Sequence, residues 1–325
     1  MTTDVSSSEL ASLGTATAWI NSPPLTEASL KGKVVLIDFG TYTCINWLRT
    51  LPYTRAWNEK YKGEGLVVIG INTPEFSVEK QLDNVRQAIN DMKVPYPIAL
   101  DNDYKIWRAF SNNYWPAVYL IDARGRVRFH HFGEGGYEEK EKMIQLLLAE
   151  ANGGPVSKGL VSVEGQGAEA AADWGNLRSP ENYLGYQRSL GFSSPGGLVA
   201  NEARTYTIPA MQRLNQWSLA GDWTAAKEAV VLNKAGGRIV YRFHARDVNL
   251  VMGPVTLGSP VRFRVLIDGA PPGAGHGVDV GADGLGTARE QRMYQLIRQT
   301  GSIADRTFEI EFLDPGAEGF VFTFG

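Results

Sequence analysis

Cysteine is almost absent from this chain: Cys44 is the only one in 325 residues. That excludes an internal disulfide framework and any intramolecular dithiol couple, so sulfur chemistry here needs a second thiol from outside the chain. Long apolar runs are missing too; none approaches the roughly 20 residues that cross a bilayer. The stretch MTTDVSSSELASLGTATAW has neither a basic segment nor an apolar core. No secretory signal is therefore expected, and as written the chain reads as cytoplasmic. No charge sign dominates: the net charge of −3 gives no footprint for nucleic acid or anionic lipid. Metal-ligand patterns are equally scarce. His130 and His131 are neighbours on an expected strand and point to opposite faces. The loop GAGHGVDVGADG holds His276, Asp279 and Asp283, but its spacing matches no EF-hand, and hard cations usually need about six or more oxygens. Gly133-Glu134-Gly135-Gly136 lacks the Gly-Lys-Ser/Thr ending of a phosphate loop. No metal and no cofactor is implied.

What is present is ordinary globular composition, 43% apolar and 21% charged, at a length comfortable for two cores. The chain is organised around VVLIDFGTYTCINWLRTLPY, residues 34–53. Residues 34–39 form a short β-branched and apolar run that reads as a buried strand. A polar turn follows, Gly40-Thr41-Tyr42-Thr43. From Cys44 the spacing is helical: Ile45, Leu48 and Leu51 lie three apart, then Trp57 and Tyr61 four apart. A cysteine at that junction sits at a helix N-terminus, where unpaired N–H groups and the helix dipole favour thiolate over thiol. The competing reading, a small buried hydrophobe, is the commoner fate of a lone cysteine.

The segments KGKVVLIDF, TYTCIN, LRTLPY, GLVVIG, TPEF and YWPA resemble the thioredoxin superfamily, and within it the thioredoxin-like domain of the DipZ family of cytochrome c biogenesis proteins. The resemblance implies a buried acid at Asp38, a kink at Pro52 and a cis-proline at Pro116. With Trp115, that proline would bind an extended substrate. It also implies that this chain departs from the pattern twice. C-x-x-C reads Cys44-Ile45-Asn46-Trp47, so the resolving thiol is replaced by indole, and Gly40 stands where thioredoxins usually have Trp. Asp38, which would serve a resolving cysteine as proton acceptor, is left with a structural or electrostatic role. DipZ relatives present this domain outside the cytoplasmic membrane, so an extracytoplasmic site is implied if this sequence is a piece of such a protein.

Along the chain, residues 1–13 read as a flexible leader, 14–154 as the thioredoxin-like domain, 155–172 as a linker and 173–325 as a second domain. Expected elements of the first domain are strands at 66–72, 117–122 and 126–132, with helices at 79–92, 103–110 and 137–151. Val161 and Val163 suggest a short strand in the linker. Past it helical periodicity fades, and strands are expected at 203–208, 230–232, 238–243, 261–267, 293–298, 307–312 and 319–324. The fold class is thus an α/β thioredoxin-like domain followed by an all-β sandwich, a jelly roll by texture and similar to carbohydrate-binding modules. Trp174, Trp217 and Trp223 offer a glycan-stacking platform; the plainer reading places them in the core.

Three functions follow. In the first, Cys44 carries out monothiol exchange with a thiol or disulfide protein or with a small thiol such as glutathione. In the second, Thr41-x-x-Cys44 matches part of the peroxiredoxin motif, whose upstream proline is replaced here by Ile37, and the protein is an antioxidant thiol peroxidase. In the third, the fold binds a partner or a glycan without turnover. The candidate site is Cys44, Asp38, Thr41 and Trp47, with Trp115 and Pro116 for substrate.

Overall fold

The computed structural model describes residues 9–325 and divides at Ala170/Ala171 into two compact units. The first unit holds strand β1 (Ala18–Ile20), helix α1 (Glu27–Leu30), β2 (Val34–Gly40), α2 (Ile45–Tyr61), β3 (Leu66–Asn72), α3 (Leu82–Asp91), β4 (Ile98–Leu100), α4 (Lys105–Ala109), β5 (Ala117–Ile121), β6 (Val127–Phe132) and α5 (Tyr137–Asn152). The six strands form one sheet in the order β1-β4-β3-β2-β5-β6, with β2, β3 and β4 parallel and the others antiparallel. Every residue of β2 is buried, Asp38 included, as befits a central strand covered on both faces. Val35, Ile37 and Phe39 pack with Ile69, Ile71, Ala117 and Tyr119 on one face of the sheet. Gly40 is the last residue of β2, so the chain leaves the sheet at the cysteine turn.

Three expectations are corrected. Of the supposed leader 1–13, residues 1–8 lie outside the described residues, but Glu9–Thr15 is a 3-10 helix whose Leu10 and Leu13 are buried in the sheet's core. Polar composition misled there, because two leucines three apart suffice to anchor one turn. The supposed linker is not loose either. Val161 N–H donates to Glu141 (2.8 Å), Glu169 pairs with Arg55, and no strand forms at Val161 or Val163. Finally, α3 begins at Leu82 rather than at Glu79, which sits in a separate 3-10 turn, Ser77–Lys80.

The second unit is all β: β7 (Asn182–Tyr183), β8 (Ala203–Tyr206), β9 (Trp217–Ala225), β10 (Val230–Leu232), β11 (Gly237–Phe243), β12 (Asp247–Pro254), β13 (Val261–Ile267), β14 (Leu285–Ala288), β15 (Arg292–Arg298), β16 (Arg306–Phe312) and β17 (Ala317–Phe324). It is a sandwich whose two layers share β9. Residues 217–220 of that strand pair with β11, whereas 221–225 pair with β8 and β10. The crossover falls at Gly221, where φ is +97°, a backbone conformation that only glycine adopts readily. A side chain there would also meet the Cα of Gly237 at 3.0 Å. Between the layers lies one core that includes Trp217, Trp223, Tyr241, Phe263, Phe308 and Phe322. Trp217 and Trp223 are thus inside the sandwich, and the three-tryptophan glycan platform does not form; only Trp174 is exposed. Among the described residues no helix is long and apolar enough to cross a membrane.

Candidate active site

Cys44 is the N-cap residue of α2. Its N–H donates to Thr41 O (3.1 Å), and its carbonyl accepts from Leu48 N–H (3.0 Å) as the first bond of the helix. It is half-buried and forms no disulfide. The sequence reading of a strand-to-helix junction therefore holds, and the thiol stands where the first turn's N–H groups are unpaired within the helix.

Asp38 is wholly buried in the central strand β2. Its Oδ2 accepts a hydrogen bond from Trp47 Nε1 (3.0 Å), while Oδ1 meets no donor among the described residues. Burial pushes the carboxyl up to about 7, against the opposing pull of the indole N–H and of the Lys140 ammonium. Lys140, on α5, is itself buried and driven down to about 8 by desolvation, with Asp38, Glu134 and Glu139 resisting the fall. The Tyr96 phenol, pushed up by burial, also feels the Asp38 charge.

The two departures from the thioredoxin pattern are one physical change. A side chain at Gly40 would place its Cβ 2.1 Å from Cδ1 and 2.3 Å from Nε1 of Trp47. The indole therefore lies against the bare backbone of Gly40, in the space a residue 40 side chain would fill. From there its N–H reaches Asp38, where the family pattern has a second thiol. Trp at 47 requires Gly at 40.

Trp115 and Pro116 reach the same end of the sheet. The Trp115–Pro116 peptide is cis, and β5 starts immediately after it, with Ala117 opposite Phe39 of β2. Thr73 joins the two segments: its N–H donates to Gly40 O (3.3 Å), and its carbonyl accepts from Trp115 Nε1 (3.0 Å). Pro116 O is held by Gly133 N–H (2.8 Å). Thr41 is buried at the start of the cysteine turn. Arg49 is committed elsewhere, paired to Glu134 at 3.0 Å, and Arg55 to Glu169. In the second unit Asp279 is tied to Arg292 (2.7 Å) and to Gln295 N–H (2.8 Å), so it serves the loop's own structure.

One site group escaped the sequence reading. Glu79 is wholly buried, and its carboxyl accepts from the Thr43 hydroxyl, one residue before Cys44. It also accepts from the N–H groups of Glu75 and Phe76. Desolvation pushes it up to about 7 despite these donors. The spacing of Leu82, Val85 and Ile89 predicts a helix with Glu79 at its head, which hides this carboxyl from a sequence reading.

Comparison with known proteins agrees with this geometry. Residues 20–130 match the AhpC/TSA family, and residues 179–325 match the family described as a thioredoxin-like C-terminal domain. The chain belongs to the thioredoxin-like superfamily. It is 36% identical over 256 residues to Protein DipZ of Mycobacterium tuberculosis (strain CDC 1551 / Oshkosh), an alignment covering 75% of this chain and 36% of that protein. The match thus spans little more than a third of the DipZ protein's length. The first unit is also similar to the thiol-disulfide oxidoreductase YkuV of Bacillus subtilis (strain 168), 27% identical over 133 residues, or 41% of this chain and 89% of that one. NHL repeat-containing protein 2 of Homo sapiens is 34% identical over 129 residues, covering 39% of this chain and 17% of that protein. The DipZ alignment, longer than either unit, runs into both of them, in agreement with a resemblance read along most of the chain.

Proposed function

We propose that this protein is a thioredoxin-like thiol–disulfide exchange protein working through a single thiol. The Cys44 thiolate attacks one sulfur of a substrate disulfide. A bond forms between Cys44 Sγ and that sulfur, the substrate's S–S bond breaks, and the departing thiolate takes a proton from solvent. A second thiol, from a partner protein or a small molecule such as glutathione, then attacks the mixed disulfide and returns Cys44 as thiolate. Trp115 and Pro116 line the approach of the substrate chain. The observation that carries the reading is the indole of Trp47 hydrogen-bonded to Asp38 where a resolving thiol would sit, beside a half-buried cysteine at a helix N-terminus. The acid is thereby occupied by an N–H donor, and release of the mixed disulfide falls to an outside thiol.

The test is incubation with a disulfide peptide, followed by intact mass. The expected product is a one-to-one conjugate that persists until external thiol is added, and that Cys44→Ser does not form. A wild type that forms no conjugate would sink the proposal. So would a Cys44→Ser variant that keeps all biological activity, which would favour a binding module without turnover.

A peroxidase reading has a specific observation in its favour, the AhpC/TSA match over residues 20–130, which includes Thr41 and Cys44. In it the thiolate takes an oxygen from peroxide to give a sulfenic acid and water, and external thiol restores it. Thiol-dependent consumption of hydrogen peroxide separates this reading from the first.

A further inference from the structure

We infer that Glu79 is a positioning residue for Cys44, and that gain or loss of a proton at its Oε1 reverses the hydrogen bond to Thr43 and so resets the cysteine turn. The inference deepens the single-thiol reading above and rests on it for its biological meaning, though not for its test.

Glu79 is where three strips of the site meet. The β2–α2 turn sends the Thr43 hydroxyl to Oε1. The turn after β3 sends the N–H groups of Glu75 and Phe76 (3.0 Å) to Oε2. The end of β3 sends Asn72 Nδ2 to the Glu79 carbonyl (3.2 Å). As a carboxylate the group accepts every side-chain bond it makes. As a neutral acid it must carry a hydrogen on one oxygen, and backbone N–H groups can only donate. Two of them already occupy Oε2. The proton therefore sits on Oε1, which faces the Thr43 hydroxyl and has the buried Thr41 hydroxyl nearby. Where the acid donates to Thr43, that hydroxyl becomes the acceptor and its hydrogen is released into the 41–44 turn. A buried carboxyl has few cheaper ways to change state, because neither form can be left unpaired.

The charge matters as well as the bond. Ionised Glu79 puts a negative charge one residue from the bearer of the thiol, and a like charge opposes a thiolate. The titratable groups facing Glu79 are Glu75, on the turn after β3, and the Tyr42 phenol, on the cysteine turn, whose ionisation Glu79 disfavours. The remaining neighbours are neutral: Thr41 and Thr43 on that turn, Asn72 on β3, and Asn84 of α3, which reaches Tyr42. The midpoint near 7 places the exchange of this proton in the range where thiol chemistry is run.

The experiment is the rate of Cys44 alkylation by iodoacetamide between pH 5 and pH 10, with Cys44→Ser as blank. It reads the thiolate whether or not the protein exchanges disulfides. A failure of exchange would therefore overturn the proposed function and leave this inference standing. The wild type should titrate in two steps, a lower one near pH 7 and the thiol's own. In an Asp38→Asn background, which removes the other buried carboxyl near 7, Glu79→Gln should collapse the profile to a single step displaced to lower pH, while Glu79→Asp, which keeps a carboxyl, should retain two. Thr43→Val leaves the carboxyl but removes its hydroxyl partner. The carboxylate loses a donor, so the lower step should move to higher pH. A wild-type profile that fits one proton, or a folded Thr43→Val whose lower step is unmoved, would overturn the inference even if Glu79→Gln does not fold.

Discussion

The carboxylates beside the cysteine turn are held differently from the arginine-paired ones that prevail in the sandwich. In the sandwich Asp247 is buried between Arg246 (2.7 Å) and Arg298 (2.8 Å), and Arg262 holds Asp314 by two N–H groups at 2.8 and 2.9 Å. The Arg262 bonds take Asp314 down to about 2. Asp268, though exposed, is likewise lowered, a slight desolvation being outweighed by Thr307 N–H and Arg306. Glu318, raised by burial with only Gln291 bonded to it, is an exception. In the first unit Asp122 is clamped by Arg126 and Arg128 and falls to about 2. Asp38 and Glu79, however, are wholly buried with neutral donors and rise to about 7. A carboxylate matched to arginine is a clamp whose proton never moves near neutrality. One left to an indole or a threonine can change state there, and both of these flank the turn that carries Cys44. Perturbation of this kind is a mark of functional sites.

The contrast breaks most visibly if core aromatics of the two units prove interchangeable in effect. Trp223→Ala removes a fully buried indole bonded to Ala220 O, and should cost about 3–5 kcal/mol of stability. Under native conditions it should leave the alkylation rate of Cys44 unchanged, because Trp223 packs in the second unit's own core. Denaturant titration together with iodoacetamide kinetics checks both halves. A Cys44 rate that falls with the sandwich's stability would show that the site depends on the second unit.

Acid titration sharpens the comparison. Unfolded, Asp38 and Glu79 ionise near 3.8 and 4.5; folded, both hold their protons to about 7. Between pH 4 and pH 7 the native state binds more protons than the unfolded one, so stability falls as pH rises and is regained on acidification. Lys140, lowered to about 8, stays charged through this window and does not contribute. The first unit should lose on the order of a few kcal/mol from pH 4 to pH 7. Asp38→Asn and Glu79→Gln should each flatten that slope. The arginine-clamped carboxylates run the other way, losing their contribution as pH falls below about 4. Urea midpoints at pH 5 and pH 7 decide it, and a first-unit midpoint that rises with pH would contradict the burial argument.

The third test concerns the coupling of Gly40 to Trp47. Gly40→Ala places a methyl carbon within 2.1 Å of an indole that is buried and hydrogen-bonded, so the ring must move; overpacking of this kind costs about 1–3 kcal/mol. In a Trp47→Cys background the same substitution should cost little, and the double-mutant cycle should return most of the penalty as coupling. In that background Cys44 and residue 47 should close a disulfide, restoring the two-thiol pattern. An additive cycle, or a folded Trp47→Cys in which no disulfide forms, would mean that the indole is not where the resolving thiol belongs.

These residues also mark the limit of what the sequence discloses. The segment 34–61 was readable because an apolar run followed by three- and four-residue spacing has one simple solution, a buried strand feeding a helix. Gly40 and Trp47 were each visible as departures, but no periodicity says that residues seven apart touch when a strand, a turn and a helix start lie between them. Glu79 was hidden by the opposite problem: it fits the spacing of Leu82, Val85 and Ile89, yet a 3-10 turn takes it off that helix and points it at Thr43. In the sandwich, β9 went unread because Gly221-Asp222 is a turn signal, whereas the left-handed glycine carries the strand from one layer to the other. Strand β12 went unread because all eight of its residues are buried, so its polarity does not alternate.

The smallest expected effect belongs to Trp174. It is 62% exposed, whereas Trp217 and Trp223, the other two rings that the sequence offers for stacking sugars, are fully buried. A stacking platform needs its aromatic faces in solvent, and two of the three rings supply core area instead, Trp217 through an edge-on contact with Phe192 at 4.8 Å and Trp223 through one with Phe312 at 5.9 Å. A single exposed indole is left, with no second face from that trio beside it. Trp174→Ala should therefore change stability by no more than about 0.5 kcal/mol, as surface substitutions generally do. Titration of the wild type with oligosaccharides should leave tryptophan fluorescence unchanged, since the only ring of the three that solvent reaches is unsupported. Saturable quenching that Trp174→Ala abolishes would reverse this: the sandwich would then hold a glycan site built around Trp174 alone, and the contrast between a reactive first unit and a purely structural second one would no longer stand.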